Sequence, residues 1–393
     1  MSTYPLLTNA FLNLTNQCNL CCRYCFVCQN KEEMPLQVAM DAVNYLIANG
    51  KIERKTPAAT FFGGEPTLRF DDIIVPVVEY VHDELGEKFD FSITTNGTLL
   101  TPERLHWMRK HRIGLLLSVD GAKETQDYNR PFHSGKGSFD RLSDILDQAV
   151  TFYPQVMFRS TLIPATVHNF YDNVRFAESR SFKNIYAIPN VYEEWDEEHV
   201  EILRQELAKY GDYYVESFIN GTSCIKLMPF EKAFGKIWRI NNATERRCTT
   251  DCLAQGKCGF CTNGHGAIDV HGNIYACQEL PSSHGVEDPF CIGNIYSGID
   301  QKRHEALIAM YDISMVRGAN CDSCKINYIC DGGCVANNYM LNGSLNVIAP
   351  IFCRWNQMLV DEAHRVAVEL GLQKNELFRD RFTYMISKGG WGL

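Results

Sequence analysis

The sequence has no apolar run approaching the roughly 18 residues that a membrane-spanning helix needs, so no membrane partner is expected. It has no surplus of positive charge: 38 Lys and Arg stand against 47 Asp and Glu, a net charge of −9. A nucleic-acid groove calls for a basic stripe, so no nucleic-acid partner is expected either. The opening residues lack a basic stretch followed by an apolar core, and no secretion signal is read there. A cytoplasmic location is therefore the expectation, a setting in which disulfides are rare. Cysteine is the residue in excess, 17 among 393 residues, and these thiols are expected to be reduced or metal-bound. Apolar content of 45% and charge of 22% are ordinary for a globular enzyme, with length enough for one large domain and a smaller one.

Residues 18–28 read CNLCCRYCFVC, in which Cys18, Cys22 and Cys25 have the spacing C-x3-C-x2-C. Such a pattern should arise by chance only about 0.03 times in a chain of this composition, so the loop is taken as a site. Thiolates this close point to an iron–sulfur cluster or to zinc. Three ligands on a cubane of four irons leave one iron open to a chelating molecule, whereas zinc would need a fourth residue, Cys21 or Cys28.

From the start to about residue 220, apolar runs alternate with amphipathic segments. Strands are expected over 10–14, 58–62, 89–94, 114–119, 156–163 and 185–188. Helices are expected over 36–47, 73–85 and 170–177, after Thr101-Pro102, and after Ser138 as a cap. Glu197 to Phe218 reads as one long amphipathic helix. Six strand–helix units imply an α/β fold, a parallel sheet with helices outside and ligands at the C-terminal strand ends. The motifs fall at those ends: Gly63-Gly64-Glu65-Pro66, then Thr94-Thr95-Asn96-Gly97-Thr98, then Ser118-Val119-Asp120-Gly121 with Arg130 beyond it. Residues Asn190, Tyr192 and Glu193, after the sixth strand, read as ordinary loop.

The cysteine loop, with Tyr24 before its last cysteine, together with these motifs in this order, resembles the radical S-adenosylmethionine (SAM) superfamily. The resemblance implies an open (β/α)6 barrel and a 4Fe-4S cluster on Cys18, Cys22 and Cys25. It also implies SAM bound by Tyr24, Gly63, Gly64, Glu65, Thr95, Asn96, Ser118, Asp120 and Arg130. Glu65 would take the amino group, Ser118 and Asp120 the ribose, and Arg130 the carboxylate.

Eleven of the 17 cysteines lie between Cys248 and Cys353. Cys321, Cys324, Cys330 and Cys334 form C-x2-C-x5-C-x3-C, a block that read alone also suits zinc. Upstream, Ala267 to Ala276 reads as a β-hairpin turning at Gly272 and ending on Cys277. With Cys353 downstream, the set resembles a SPASM domain, which implies two auxiliary 4Fe-4S clusters. By that likeness Cys321, Cys324, Cys330 and Cys353 hold the outer one. Cys261, Cys277 and Cys334 hold the inner one, whose fourth ligand is Cys258, Cys252, Cys248 or a substrate thiolate. Cys21, Cys28, Cys224 and Cys291 are left as small buried hydrophobes, with Cys28 near enough to the loop for a role to be tested. The expected organisation is a barrel over 1–220, a helical bridge over 221–247, the SPASM domain over 248–357 and a C-terminal helix and tail over 358–393.

The resemblance implies an oxidoreductase that cleaves SAM to a 5′-deoxyadenosyl radical and modifies a side chain of a ribosomally made peptide, through a thioether or carbon–carbon crosslink. Partners would be the peptide or protein substrate and a reductant such as flavodoxin or ferredoxin. The chain starts close to its first strand, so a leader peptide would be read by the barrel, the SPASM domain or a separate protein. In sulfatase-maturating relatives an aspartate follows the second SPASM cysteine as a base. Here Gln278 follows Cys277, which leaves Glu279 as the catalytic candidate and places formylglycine formation second. A small-molecule dehydrogenase and a non-catalytic metal scaffold are further alternatives.

Overall fold

The computed structural model describes residues 5–27, 29–222, 224–242, 263–280, 288–310, 318, 321–327, 330, 332–371 and 375–380. Six parallel strands run in chain order, each bonded to the next: β1 (Asn9–Thr15), β2 (Ala58–Gly63), β3 (Asp90–Thr95), β4 (Gly114–Ser118), β5 (Met157–Leu162) and β6 (Asn184–Pro189). Alternation sorts their side chains. In β5, Phe158, Ser160 and Leu162 are buried under the outer helices, while Met157, Arg159 and Thr161 are half-buried on the inner face.

The helices that cover the sheet include α1 (Leu36–Glu53), α2 (Val75–Glu79), α3 (Pro102–Lys110), α4 (Lys123–Asn129), α5 (Phe139–Phe152) and α6 (Phe170–Ser179). Thr101 caps α3 as expected, its hydroxyl accepting from the Arg104 amide. Two local expectations need adjusting. The helix expected over 73–85 is present, but as a short α-helical centre flanked by π-turns, Phe70–Ile74 and Tyr80–Glu84. Pro76 lies in its first turn and has no N–H to donate, and the bonds either side slip to wider spacing, Val75 N to Phe70 O and Leu85 N to Tyr80 O. Ser138 does not cap α5, because its hydroxyl accepts instead from Gln126 Nε2 at 3.0 Å.

The sheet runs past the six strands. β7 (Lys226–Leu227) adds beside β6, and the chain continues into α8 (Met228–Asn242). On the other side β8 (His265–Ile268) pairs parallel with the outer edge of β1, and β9 (Asn273–Tyr275), β10 (Cys291–Asn294) and β11 (Gly298–Ile299) extend it antiparallel, giving eleven strands in one sheet. The expected hairpin is β8–β9. Gly272 sits in its turn at φ +81°, and Asp269 Oδ1 accepts from the His271 and Asn273 amides. The cysteine-rich half is thus joined to the barrel by a strand ladder that crosses the expected boundary near residue 221.

Three helices complete the described part: α9 (Gln301–Met310), α10 (Val335–Asn342) and α11 (Pro350–Glu369). α11 packs on α8 and on α7 (Glu197–Ile219), with Trp355 edge-on to Phe170 and Arg354 and Arg365 paired to Glu197 and Asp212.

Candidate active site

The cysteine loop leaves β1 and is held first by backbone. Gly64 N donates to Thr15 O at 2.7 Å and Glu65 N to Gln17 O at 2.8 Å. A Cβ on Gly64 would lie 2.1 Å from Gln17 O, and Gly63 has φ +128°, so the paired glycines let the exit of β2 press against the start of the loop. Glu65 is 1% exposed. Its Oε1 accepts from Thr67 N and Thr95 Oγ1, and its Oε2 from Asn96 N at 2.8 Å. Burial pushes its carboxyl above the usual range, against the hydrogen bonds from Thr67, Thr95 and Asn96. Asn96 in turn donates to Asn19 Oδ1 at 2.9 Å and reaches Cys18 Sγ at 3.8 Å, while Asn19 donates to Thr98 Oγ1 at 2.8 Å. Three strand ends and the first cysteine are thereby one hydrogen-bonded unit.

The end of β4 grips the loop from the opposite side. Asp120 Oδ1 accepts from Arg130 Nη2 at 3.1 Å and Thr161 N at 2.9 Å, and Oδ2 from Tyr24 Oη at 2.5 Å and Asn129 Nδ2 at 3.0 Å. A carboxylate has about four acceptor sites, and all are taken. Asp120 therefore orients Tyr24 and Arg130. Ser118 stands half-buried at the end of β4. The segment after α4 binds the loop as well: Cys21 N donates to Pro131 O, Arg23 N to Asn129 O, and His133 Nε2 lies 2.9 Å from Cys18 O.

The thiols suit a cationic cluster. Burial pushes Cys18 up to about 12 and Cys22 up to about 11, the latter opposed by the Arg130 charge. Thiolates there need a partner of positive charge. Arg130 lies 5.3 Å from the Tyr24 ring centroid, and its Nε is buried with no hydrogen-bond partner. An orphaned buried donor beside Cys22 fits a carboxylate-bearing molecule at the cluster. Among the described residues, no three His, Cys, Asp or Glu side chains converge to hold a single metal ion.

The downstream cysteines also gather. Burial, then the neighbouring Cys330, Cys321 and Cys324, push Cys353 up to about 11. Gly318 N donates to Cys321 Sγ at 2.9 Å, Gly332 N to Cys330 Sγ at 3.4 Å and Gln357 Nε2 to Cys324 Sγ at 3.4 Å. Sulfurs receiving N–H donors are a recurring feature of iron–sulfur pockets. Burial, and then the charges of Glu279, Cys334 and Cys277, raise the Tyr192 phenol. Cys28, Cys248, Cys252, Cys258 and Cys261 lie outside the described residues. Cys224 and Cys291 are buried and Cys21 is exposed. Gln278 accepts from the Cys277 thiol at 3.3 Å. Burial raises the Glu279 carboxyl and Arg159 opposes that.

Sequence reasoning missed Asn19, Gln126 and Thr161, which carry the network without any local signature. It also read Tyr192 as loop, yet its hydroxyl donates to Asn337 Oδ1 at 3.0 Å, tying the exit of β6 to α10. Arg159 did carry a signal, a cation inside the apolar strand MFRSTL.

Residues 12–177 match the model of the Radical SAM superfamily. Among curated proteins, the radical SAM cyclopropyl synthase TigE of Paramaledivibacter caminithermalis is 24% identical over 82% of this chain and 67% of its own length. A cysteine-type anaerobic sulfatase-maturating enzyme of Clostridium perfringens is 22% identical over 84% and 89%. Among solved structures, native anSMEcpe with bound AdoMet and the Cp18Cys peptide superposes with a TM-score of 0.70 at 20% identity, covering 91% of this chain and 99% of that one. Streptococcus suis SuiB bound to precursor peptide SuiA superposes with a TM-score of 0.61 at 17% identity, over 89% and 76%. The likeness of fold extends through the cysteine-rich half, and the family match runs from β1 through α6 and includes the cysteine loop, so residues 12–177 form a radical SAM domain.

Proposed function

We propose that this enzyme is a peptide maturase which modifies a side chain of a ribosomally made peptide oxidatively, by a thioether or carbon–carbon crosslink. The observation that carries the reading is the pair of cysteine sets in one fold: the loop of Cys18, Cys22 and Cys25, held through Asn96 and Tyr24, and the downstream set in which Cys321, Cys324 and Cys330 act on Cys353. When bound, the 4Fe-4S cluster and SAM supply a 5′-deoxyadenosyl radical that removes hydrogen from an unactivated carbon. Cys18, Cys22 and Cys25 would hold that cluster. Arg130, with its orphaned Nε, would pair with the SAM carboxylate, and the remaining capacity of Glu65 Oε2 would serve the ammonium group. Gly63, Gly64, Thr95, Asn96, Ser118 and Tyr24 shape the same pocket.

Cys321, Cys324, Cys330 and Cys353 would hold an outer auxiliary cluster, and Cys277 and Cys334 an inner one with Cys258 and Cys261. Such a cluster can accept the electron left on the substrate. A dedicated reductant, and a separate leader-binding protein, belong to this reading. No helix among the described residues is long and apolar enough to cross a membrane. Both a peptide-bound solved neighbour and a precursor-bound one share the fold, which supports a peptide as substrate.

The second reading, sulfatase maturation, is favoured by the relative from Clostridium perfringens and by Glu279, which lies within electrostatic reach of Arg159 and Tyr192. Gln278 cannot act as a base, so Glu279 would have to. The test is anaerobic. Reconstituted, reduced protein given SAM is expected to form 5′-deoxyadenosine, and Cys22→Ala to abolish it. No deoxyadenosine from cluster-replete protein, with peptide candidates present, sinks the reading. Formylglycine made from a cysteine-containing sulfatase peptide would instead select the second.

A further inference from the structure

Buried guanidinium groups are ordinarily paired with a carboxylate, because an uncompensated charge away from bulk water is costly. Arg159 on β5 breaks that rule. It is half-buried on the inner face of the sheet, yet deep enough that burial is the dominant influence on its proton affinity. Among the described residues no carboxylate lies within salt-bridge distance of it. Its Nη1 donates only to main-chain oxygens, Ser160 O at 2.6 Å and Tyr186 O at 3.4 Å. Its Cζ stands 5.1 Å from the Tyr186 ring centroid, and Lys232 Nζ from α8 stands 5.2 Å from the same ring. Two cations thus converge on one aromatic side chain. The charge of Glu279 favours its protonated form and that of Arg130 opposes it. Arg159 shares the inner face of β5 with Thr161, whose amide donates to Asp120, the carboxylate that also accepts from Tyr24 of the cysteine loop.

From this we infer that Arg159, with Lys232 behind it, is the receiving site for a carboxylate of the substrate, an acidic side chain or a free chain terminus. A guanidinium with one nitrogen fixed to main-chain carbonyls keeps its remaining N–H donors in a fixed plane, which suits a planar two-oxygen anion. The inference rests on the peptide-maturase reading for the nature of the substrate but not for the existence of the anion site.

The experiment uses the reconstituted, SAM-loaded enzyme and small probes. Anaerobic titration calorimetry at low salt compares N-acetyl-glutamate amide with N-acetyl-glutamine amide, and N-acetyl-alanine with its amide. The first pair reports a side-chain carboxylate and the second a terminal one. One acid is expected to bind at least tenfold tighter than its amide. Arg159→Gln should erase the preference, Arg159→Lys should keep part of it, and Lys232→Gln should weaken it. Iron content and circular dichroism of each variant check that it is folded. Equal binding of acid and amide in both pairs, including no detectable binding of either, overturns the inference, as does an acid preference that survives Arg159→Gln in folded protein. A preference lost in Arg159→Gln, in an enzyme that turns over no peptide, would leave the anion site standing while removing the maturase reading.

Discussion

Glu65 shows how much one side chain carries here. Its carboxylate joins the ends of β2 and β3 and faces donors from Thr67, Thr95 and Asn96. Glu65→Gln turns one acceptor into a donor against those groups, and should cost about 1–3 kcal/mol of stability. The folded-state pKa is raised above the ordinary carboxylate range, so the folded form holds its proton more tightly than the unfolded chain. The associated stability is full below the unfolded pKa and is lost as pH rises through the folded pKa. The gap between wild type and Glu65→Gln should accordingly narrow as pH rises above the ordinary carboxylate range, which denaturant unfolding at several pH values would read. A constant gap would mean that Glu65 does not titrate differently on folding. This residue was legible in sequence because two glycines precede it and a proline follows. Asn19 was not, since a lone polar residue in a loop acquires meaning only from a partner about 80 positions away. Arg159 lay in plain sight as a charge within an apolar strand.

Strand–helix alternation was readable because both periods are strong and the strands are short and buried. Local hydrogen-bond competition was not readable: Pro76 splits its helix into π-turns, and Gln126 takes the hydroxyl of Ser138. The β8–β9 hairpin was readable from Gly272 at the right distance before Cys277. Gly272 has φ +81°, a region costing about 1–2 kcal/mol for a residue with a Cβ, and that Cβ would also meet Ile295 at 3.0 Å. Gly272→Ala should therefore lower stability by about that amount or somewhat more. The melting temperature of the reconstituted protein checks it. An unchanged value would show that the turn relaxes freely.

For the whole molecule, the pairing of β8 with β1 was out of reach of sequence, because a parallel ladder between distant segments leaves no local pattern. The gathering of Cys321, Cys324, Cys330 and Cys353 follows from α11, which carries Cys353 and packs on α7 and α8. Cys353→Ala should remove about four irons per chain, one cubane's worth, while the SAM-dependent signal of the loop cluster persists. Iron and sulfide analysis with electron paramagnetic resonance would decide it, and unchanged iron would reassign Cys353. The ladder also bears on synthesis. β1 is made before β8, and one of its edges stays open until β8 arrives after the six-stranded barrel has been made. Contacts this remote in sequence are slow to form, and an unpaired strand edge is a template for association with other chains. A fragment ending after β6 would keep that edge permanently bare, so it is expected to associate with other chains through β1.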